Sequence, residues 1–227
     1  MKTGLSIKSL VGATVLAAST ASMAIPTNFS FNGTFVRDDN VQLFNFTADG
    51  ASTVSLVSYG YAGGTQSNGN VVARGGFDTI LALFNATTGA FVGQNDDTAT
   101  AVCGGVSINT DSVTSRRWDT CFSALLVAGN YTVAVMEYDN FAVGGNLSNG
   151  FARTGQGNFT GALGNCTNRS FCDVSGVAAG NNRTNAWAFD IRNVDQATQT
   201  RVPEPATLAL VGLALAGLGV SRRTRKA

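Results

Sequence analysis

The sequence predicts an all-β protein, an antiparallel β-sandwich, on three observations. Strong helix formers are scarce between Thr27 and Val202, a stretch with no lysine, no proline and Glu137 as its one glutamate. Val, Thr, Phe and Tyr are common there, and such side chains suit a pleated, half-buried surface. Several short stretches alternate with period two between Gly/Asn-rich turns, the pattern of strands with one face in a core.

The elements follow in order. Phe29, Phe31, Gly33 and Phe35 share one face, with Ser30, Asn32 and Thr34 on the other. Asp38-Asp39-Asn40 precedes a strand from Val41 to Phe46. Ala51 to Tyr61 sets Val54 and Leu56 opposite Ser55, Val57 and Tyr59. Phe77 to Phe84 ends in Asn85-Ala86-Thr87-Thr88-Gly89, a hairpin loop with glycine near its end, and Ala90 to Gly93 returns. Tyr131 to Tyr138 is the clearest strand, with Tyr131, Val133, Val135 and Glu137 on one face. Ala186 to Ile191 closes the sandwich with Trp187, Phe189 and Ile191 together. Two long Gly/Asn-rich loops interrupt this series, Gly60 to Gly76 and an insert at about 140–185; loops of that length are usually functional or disordered.

The ends predict export. Lys2 and Lys8 precede the apolar run Leu10 to Ala18, and Ser22-Met23-Ala24 offers small residues for a cut after Ala24. Residues 1–24 thus read as a secretory signal peptide with a signal helix, delivered to the Sec export machinery. Residues 25–201 form the exported domain; nine arginines against thirteen acids leave it mildly acidic, without the basic footprint of a nucleic-acid binder. Histidine is absent, which excludes Ser-His-Asp and Cys-His catalysis and His-ligated metals.

Residues 202–227 have three parts: Val202-Pro203-Glu204-Pro205, the uncharged run Ala206 to Val220, and a basic stop of Arg222, Arg223, Arg225 and Lys226. The run makes a single transmembrane helix of roughly 22 Å, short of the roughly 30 Å hydrocarbon core. Snorkelling arginines make up part of the deficit, and the basic cluster stays cytoplasmic. This order of parts resembles the PEP-CTERM sorting signal. The resemblance implies an inner-membrane intermediate, processing by an exosortase near Pro203-Glu204-Pro205, and a Gram-negative bacterium that makes exopolysaccharide, with the product at the cell surface or in the biofilm matrix.

Cys103, Cys121, Cys166 and Cys172 are an even set in an oxidising compartment. Three connectivities are open, and sequence neighbours give Cys103–Cys121 and Cys166–Cys172.

Acidic and amide residues cluster at predicted strand ends: Asp39 before the second strand, Asp78 opening the Phe77 strand, Asn95-Asp96-Asp97 after the hairpin, and Asp119 beside Cys121. The segments Asp39 to Phe46, Phe77 to Phe84, Gly93 to Asp97 and Leu126 to Val133 resemble, in that order, bacterial pre-peptidase C-terminal (PPC-like) domains. The resemblance implies a jelly-roll-type sandwich over about residues 29–140 and a Ca²⁺ site drawing on Asp78, Asn95, Asp96 and Asp97, with Asp119 and Asp39. Ca²⁺ takes six to eight oxygen ligands, which such residues supply. The same residues also read as turn formers.

Ten N-x-S/T tripeptides occur against about four by chance. Asn45-Phe46-Thr47, Asn130-Tyr131-Thr132 and Asn158-Phe159-Thr160 read as strand alternation, aromatic inward and polar outward. Arg116-Arg117-Trp118 reads as a strand start with Trp118 buried, or as a sugar-contacting loop. Together these features predict a non-catalytic surface or matrix protein associating with extracellular polysaccharide. The alternatives are an envelope glycan hydrolase using Asp/Glu pairs, which needs two carboxyls across a cleft, and a purely structural adhesin module.

Overall fold

The computed structural model describes residues 27–200. The expected signal segment with its cut after Ala24 and the expected membrane helix of the tail lie outside the described residues. Thirteen strands and one short helix are formed, in chain order β1 (Thr27–Thr34), β2 (Gln42–Ala48), β3 (Ser52–Ser58), β4 (Gly64–Thr65), β5 (Val71–Val72), β6 (Thr79–Asn85), β7 (Phe91–Asn95), β8 (Val102–Cys103), β9 (Val106–Ser107), β10 (Cys121–Leu126), β11 (Gly129–Glu137), α1 (Thr160–Gly164), β12 (Ala186–Val194) and β13 (Gln196–Gln199). Strands β1-β12-β3-β10 make one sheet and β13-β2-β11-β6-β7 the other; β4-β5 and β8-β9 are separate ribbons. Every strand pairing is antiparallel.

The alternation read from the sequence sets the core between the sheets. Val54 and Leu56 of β3 and Trp187, Phe189 and Ile191 of β12 face Phe44, Phe46, Leu81, Leu83, Val133 and Val135 of the other sheet. Phe44 sits edge-on to Trp187 at 5.6 Å and to Phe189 at 4.8 Å, an arrangement favoured by the aromatic quadrupole. Gly33 pairs across the sheet with Trp187. A Cβ at that position would lie 2.5 Å from the indole ring, so only glycine leaves room for it.

Both central strands of the larger sheet are buried on their second face as well. The apolar run Thr79 to Phe84 is almost fully inaccessible, as a strand covered on both sides must be. Ile80, Ala82 and Phe84, with Ala134 and Met136, lie under Phe91, Phe141, Leu147 and Phe151. The Gly/Asn-rich insert is therefore a wrap with its own secondary structure: α1 and 3-10 turns at Leu147–Asn149 and Gly176–Ala178. On the smaller sheet, Val57, Tyr59 and Ala188 are covered by Ile108 and the buried Cys103.

The cysteines pair as Cys103–Cys121 and Cys166–Cys172. The first bridge ties the β8-β9 ribbon to the start of β10, and the second closes the turn after α1.

Three local readings change. Trp118 does not start a strand: β10 begins at Cys121, and Trp118 is half-buried against Tyr61 at 5.3 Å, with Arg116 and Arg117 also half-buried. Residues 158–160 lead into α1, and Thr160 is fully buried because its hydroxyl bonds to Asp38. Strands β10 and β13, not recognised in the sequence, are edge strands of mixed exposure and carry weak alternation.

Truncating the ring at the centre of the sandwich tests this packing. Phe44→Ala is expected to lower unfolding free energy by about 3–5 kcal/mol, read as a lower urea midpoint at unchanged slope.

Candidate functional site

The acidic residues gather where loops 36–40, 59–76, 96–120 and 138–185 meet the sandwich, and their carboxylates bind loop backbone. Asp119, fully buried, accepts hydrogen bonds from the Tyr61 N–H at 3.0 Å, the Ala62 N–H at 2.7 Å and the Ser58 hydroxyl at 2.9 Å. Asp38 accepts from the Thr160 N–H at 2.8 Å and the Phe171 N–H at 3.0 Å, joining two distant parts of the insert. Asp190 accepts from the Ser67 N–H and from the Ser30 and Tyr59 hydroxyls. Asp111 accepts from the Val113 and Thr114 N–H groups and from Arg74 at 2.8 Å. Buried N–H groups without partners are destabilising by about 1–3 kcal/mol each, so these carboxylates make the loop conformations tenable.

A buried ion network completes this end. Arg183 is inaccessible, pairs with Asp173 at 2.9 Å and Asp111 at 3.5 Å, and lies 3.6 Å over the Tyr61 ring. Burial opposes ionisation of Asp111, but Arg74, the two backbone donors and Arg183 hold it below the ordinary carboxylate range. Burial pushes Asp119 and Asp173 the other way, against their hydrogen bonds.

Of the six residues read as calcium ligands, Asp96, Asp97 and Asp119 lie near enough to Asp78 for their charges to act on it. Asp119 is occupied by loop N–H groups, Asp39 pairs with Arg37 at 3.2 Å and accepts from the Gly157 N–H, and the Asn95 amide donates to the Cys121 carbonyl at 2.7 Å. Asp78 and Asp97 each keep one buried oxygen without a partner. Burial first, then the charges of Asp97, Asp173, Asp96 and Asp119, raises Asp78 well above the ordinary range. Burial and Asp96 push Asp97 up to about 6. Among the described residues no group of three or more His, Cys, Asp or Glu side chains is placed to hold a metal ion. Glu137 ends β11 on the face of Val133 and Val135, fully buried, and burial with nearby Asp38, Asp78 and Asp173 raises it well above its ordinary value.

Sequence reasoning passed over Asp111, Asp173, Asp190 and Arg183. Asp111-Ser112-Val113-Thr114 carried a usable signal, since aspartate capping the next N–H groups is an Asx turn. The partners of Arg183 are too distant in the chain to be read from it.

A second surface lies on the outer face of β13, β2 and β11. Thr198, Asn45 and Thr132 form one cross-strand row, and Gln196, Thr47 and Asn130 the next. Thr132 donates to Asn45 at 2.8 Å, Thr47 donates to Asn130 at 3.0 Å, and the rows border a hollow of about 240 Å³. Phe46 and Tyr131 point inward and stack at 5.4 Å. Two of the N-x-S/T tripeptides are thus strand alternation.

An antiparallel sandwich whose buried carboxylates hold its loops is the class that fold and site define. The model of the PEP-CTERM protein-sorting motif matches residues 201–226. The chain carries that sorting tail, which marks an exported protein processed by an exosortase and directed to the cell envelope or surface of a Gram-negative bacterium. No curated protein matches the chain. No helix among the described residues is long and apolar enough to cross a membrane.

A titration tests the acidic end. Asp97 is ordinarily near 3.9 unfolded and is raised in the fold, so its contribution is full below about pH 4 and is lost as pH rises through about 6. Asp97→Asn is expected to remove that loss, giving a flatter profile of urea midpoint against pH between 4 and 7.

Proposed function

We propose that the exported domain is a non-catalytic matrix or surface protein, a PPC-like sandwich that associates with extracellular polysaccharide. The observation that carries this reading is the sorting tail on a domain whose outer sheet face presents a neutral ladder of Asn45, Thr47, Asn130, Gln196 and Thr198. Amides and hydroxyls both donate and accept, which suits a polymer of hydroxyl groups. The buried acids support the non-catalytic part: Asp38, Asp111, Asp119 and Asp190 are engaged in holding loops.

Two measurements check it. Full-length protein is expected to be retained on matrix exopolysaccharide above a control protein of equal size; equal elution overturns the association. Incubation with that polysaccharide should release no new reducing ends. Release that is lost in Asp96→Ala or Asp97→Ala, with folding intact, overturns the non-catalytic reading in favour of a hydrolase. A third expectation concerns sorting. Replacing Pro203, Glu204 and Pro205 by alanine should leave the precursor uncleaved in the membrane fraction, read by gel mobility.

A further inference from the structure

A cleft of about 400 Å³ lies on the outer side of the smaller sheet, between β1, β12 and the segment 70–76. Its volume falls within the range of small-molecule sites. Ala186 and Ala188 of β12, with Val72 and Ala73 opposite, give it small apolar walls. Gly76 brings the loop onto β12: a Cβ there would lie 2.4 Å from the Ala186 carbonyl oxygen. The rim is polar, formed by the exposed side chains of Asn32, Thr34, Asn70 and Thr184.

Arg74 is the one charged residue in the lining. Its Nε–H is bound to the inaccessible carboxylate of Asp111 at 2.8 Å. That pairing fixes the guanidinium plane and neutralises its charge, while the two terminal nitrogens retain N–H donors. Asp111 and Asp173 also balance Arg183 behind it. The cleft thus presents a fixed donor fork and amide and hydroxyl groups with no unpaired charge. The exported segment carries thirteen acids against nine arginines, so its overall field disfavours a polyanion.

We propose that this cleft binds one residue of a neutral hexose polysaccharide, with Arg74, Asn32 and Thr34 meeting ring hydroxyls and the alanine wall meeting the ring face. The proposal rests on polysaccharide association and names its site and sugar class. The ladder on the other sheet is the weaker candidate for a discrete site, because Thr47–Asn130 and Thr132–Asn45 already bond to each other.

The test is calorimetric titration of the full-length chain with gluco-, manno- and galacto-hexaoses and with a uronate hexamer, at low and high salt. At least one neutral hexaose should bind, with affinity unchanged by salt. Asn32→Ala should weaken it roughly fivefold, the effect of one hydrogen bond, and Ala73→Trp at the exposed lip should abolish it. Both positions are solvent-facing, so thermal midpoints near wild type should accompany these losses. Tighter, salt-sensitive binding of the uronate overturns the neutral cleft while leaving polysaccharide association in place. Binding lost in Gln196→Ala but kept in Asn32→Ala and Ala73→Trp moves the site to the ladder and overturns it likewise. No binding of any hexamer while matrix polysaccharide still retains the protein overturns the cleft alone, and loss of that retention overturns the broader reading.

Discussion

Buried backbone N–H groups must find partners, and in this molecule aspartate carboxylates supply them. The sandwich leaves three long connections that the two-residue ribbons β4-β5 and β8-β9 and the short helix α1 satisfy only in part. Asp119 fixes the start of the 60–76 loop, Asp38 gathers Thr160 and Phe171 from the insert, Asp190 holds Ser67, and Asp111 closes its own turn. Asp119, Asp38 and Asp190 sit on or beside the sandwich, so each of these three ties a loop to the rigid part of the fold. Arg183 then joins two of the connections through Asp111 and Asp173.

Two-sided burial follows from that anchoring. With the insert held in place, Phe141, Leu147 and Phe151 cover Ile80, Phe84 and Met136, and Phe171 reaches the inter-sheet core beside Phe77. The sandwich gains apolar burial on a face that would otherwise meet water, at about 25 cal/mol per Å². The part left uncovered, on β13, β2 and the first residues of β11, presents the amides and hydroxyls of Asn45, Thr47, Asn130, Gln196 and Thr198.

Most of the sandwich was legible because period-two alternation marks a strand wherever one face is apolar. Trp187, Phe189 and Ile191 fall on one face as read, as do Val54 and Leu56. The run Thr79 to Phe84 showed a strand but not what covers it, since a continuous apolar run says only that both faces are buried. Edge strands β10 and β13 were missed because half-exposed residues alternate weakly. The sorting tail was fully legible, being a linear signal whose parts are contiguous. The acidic end was not: Asp78, Asp96, Asp97 and Asp119 look alike in sequence, and only long-range partners separate an aspartate bound to loop amides from one with a free oxygen. Sequence neighbours did give the disulfides, because short loops bring their ends together easily.

Carboxylate clasping and metal clasping make opposite statements about the same loops. Native-state hydrogen exchange at the amides of Tyr61, Ala62, Thr160 and Phe171, in the full-length chain with millimolar Ca²⁺ and again with EDTA, separates them. Clasping by Asp119 and Asp38 predicts equal protection in both conditions. It also predicts loss at Tyr61 and Ala62 alone in Asp119→Ala. Protection at all four amides that collapses in EDTA and returns with Ca²⁺ would contradict it.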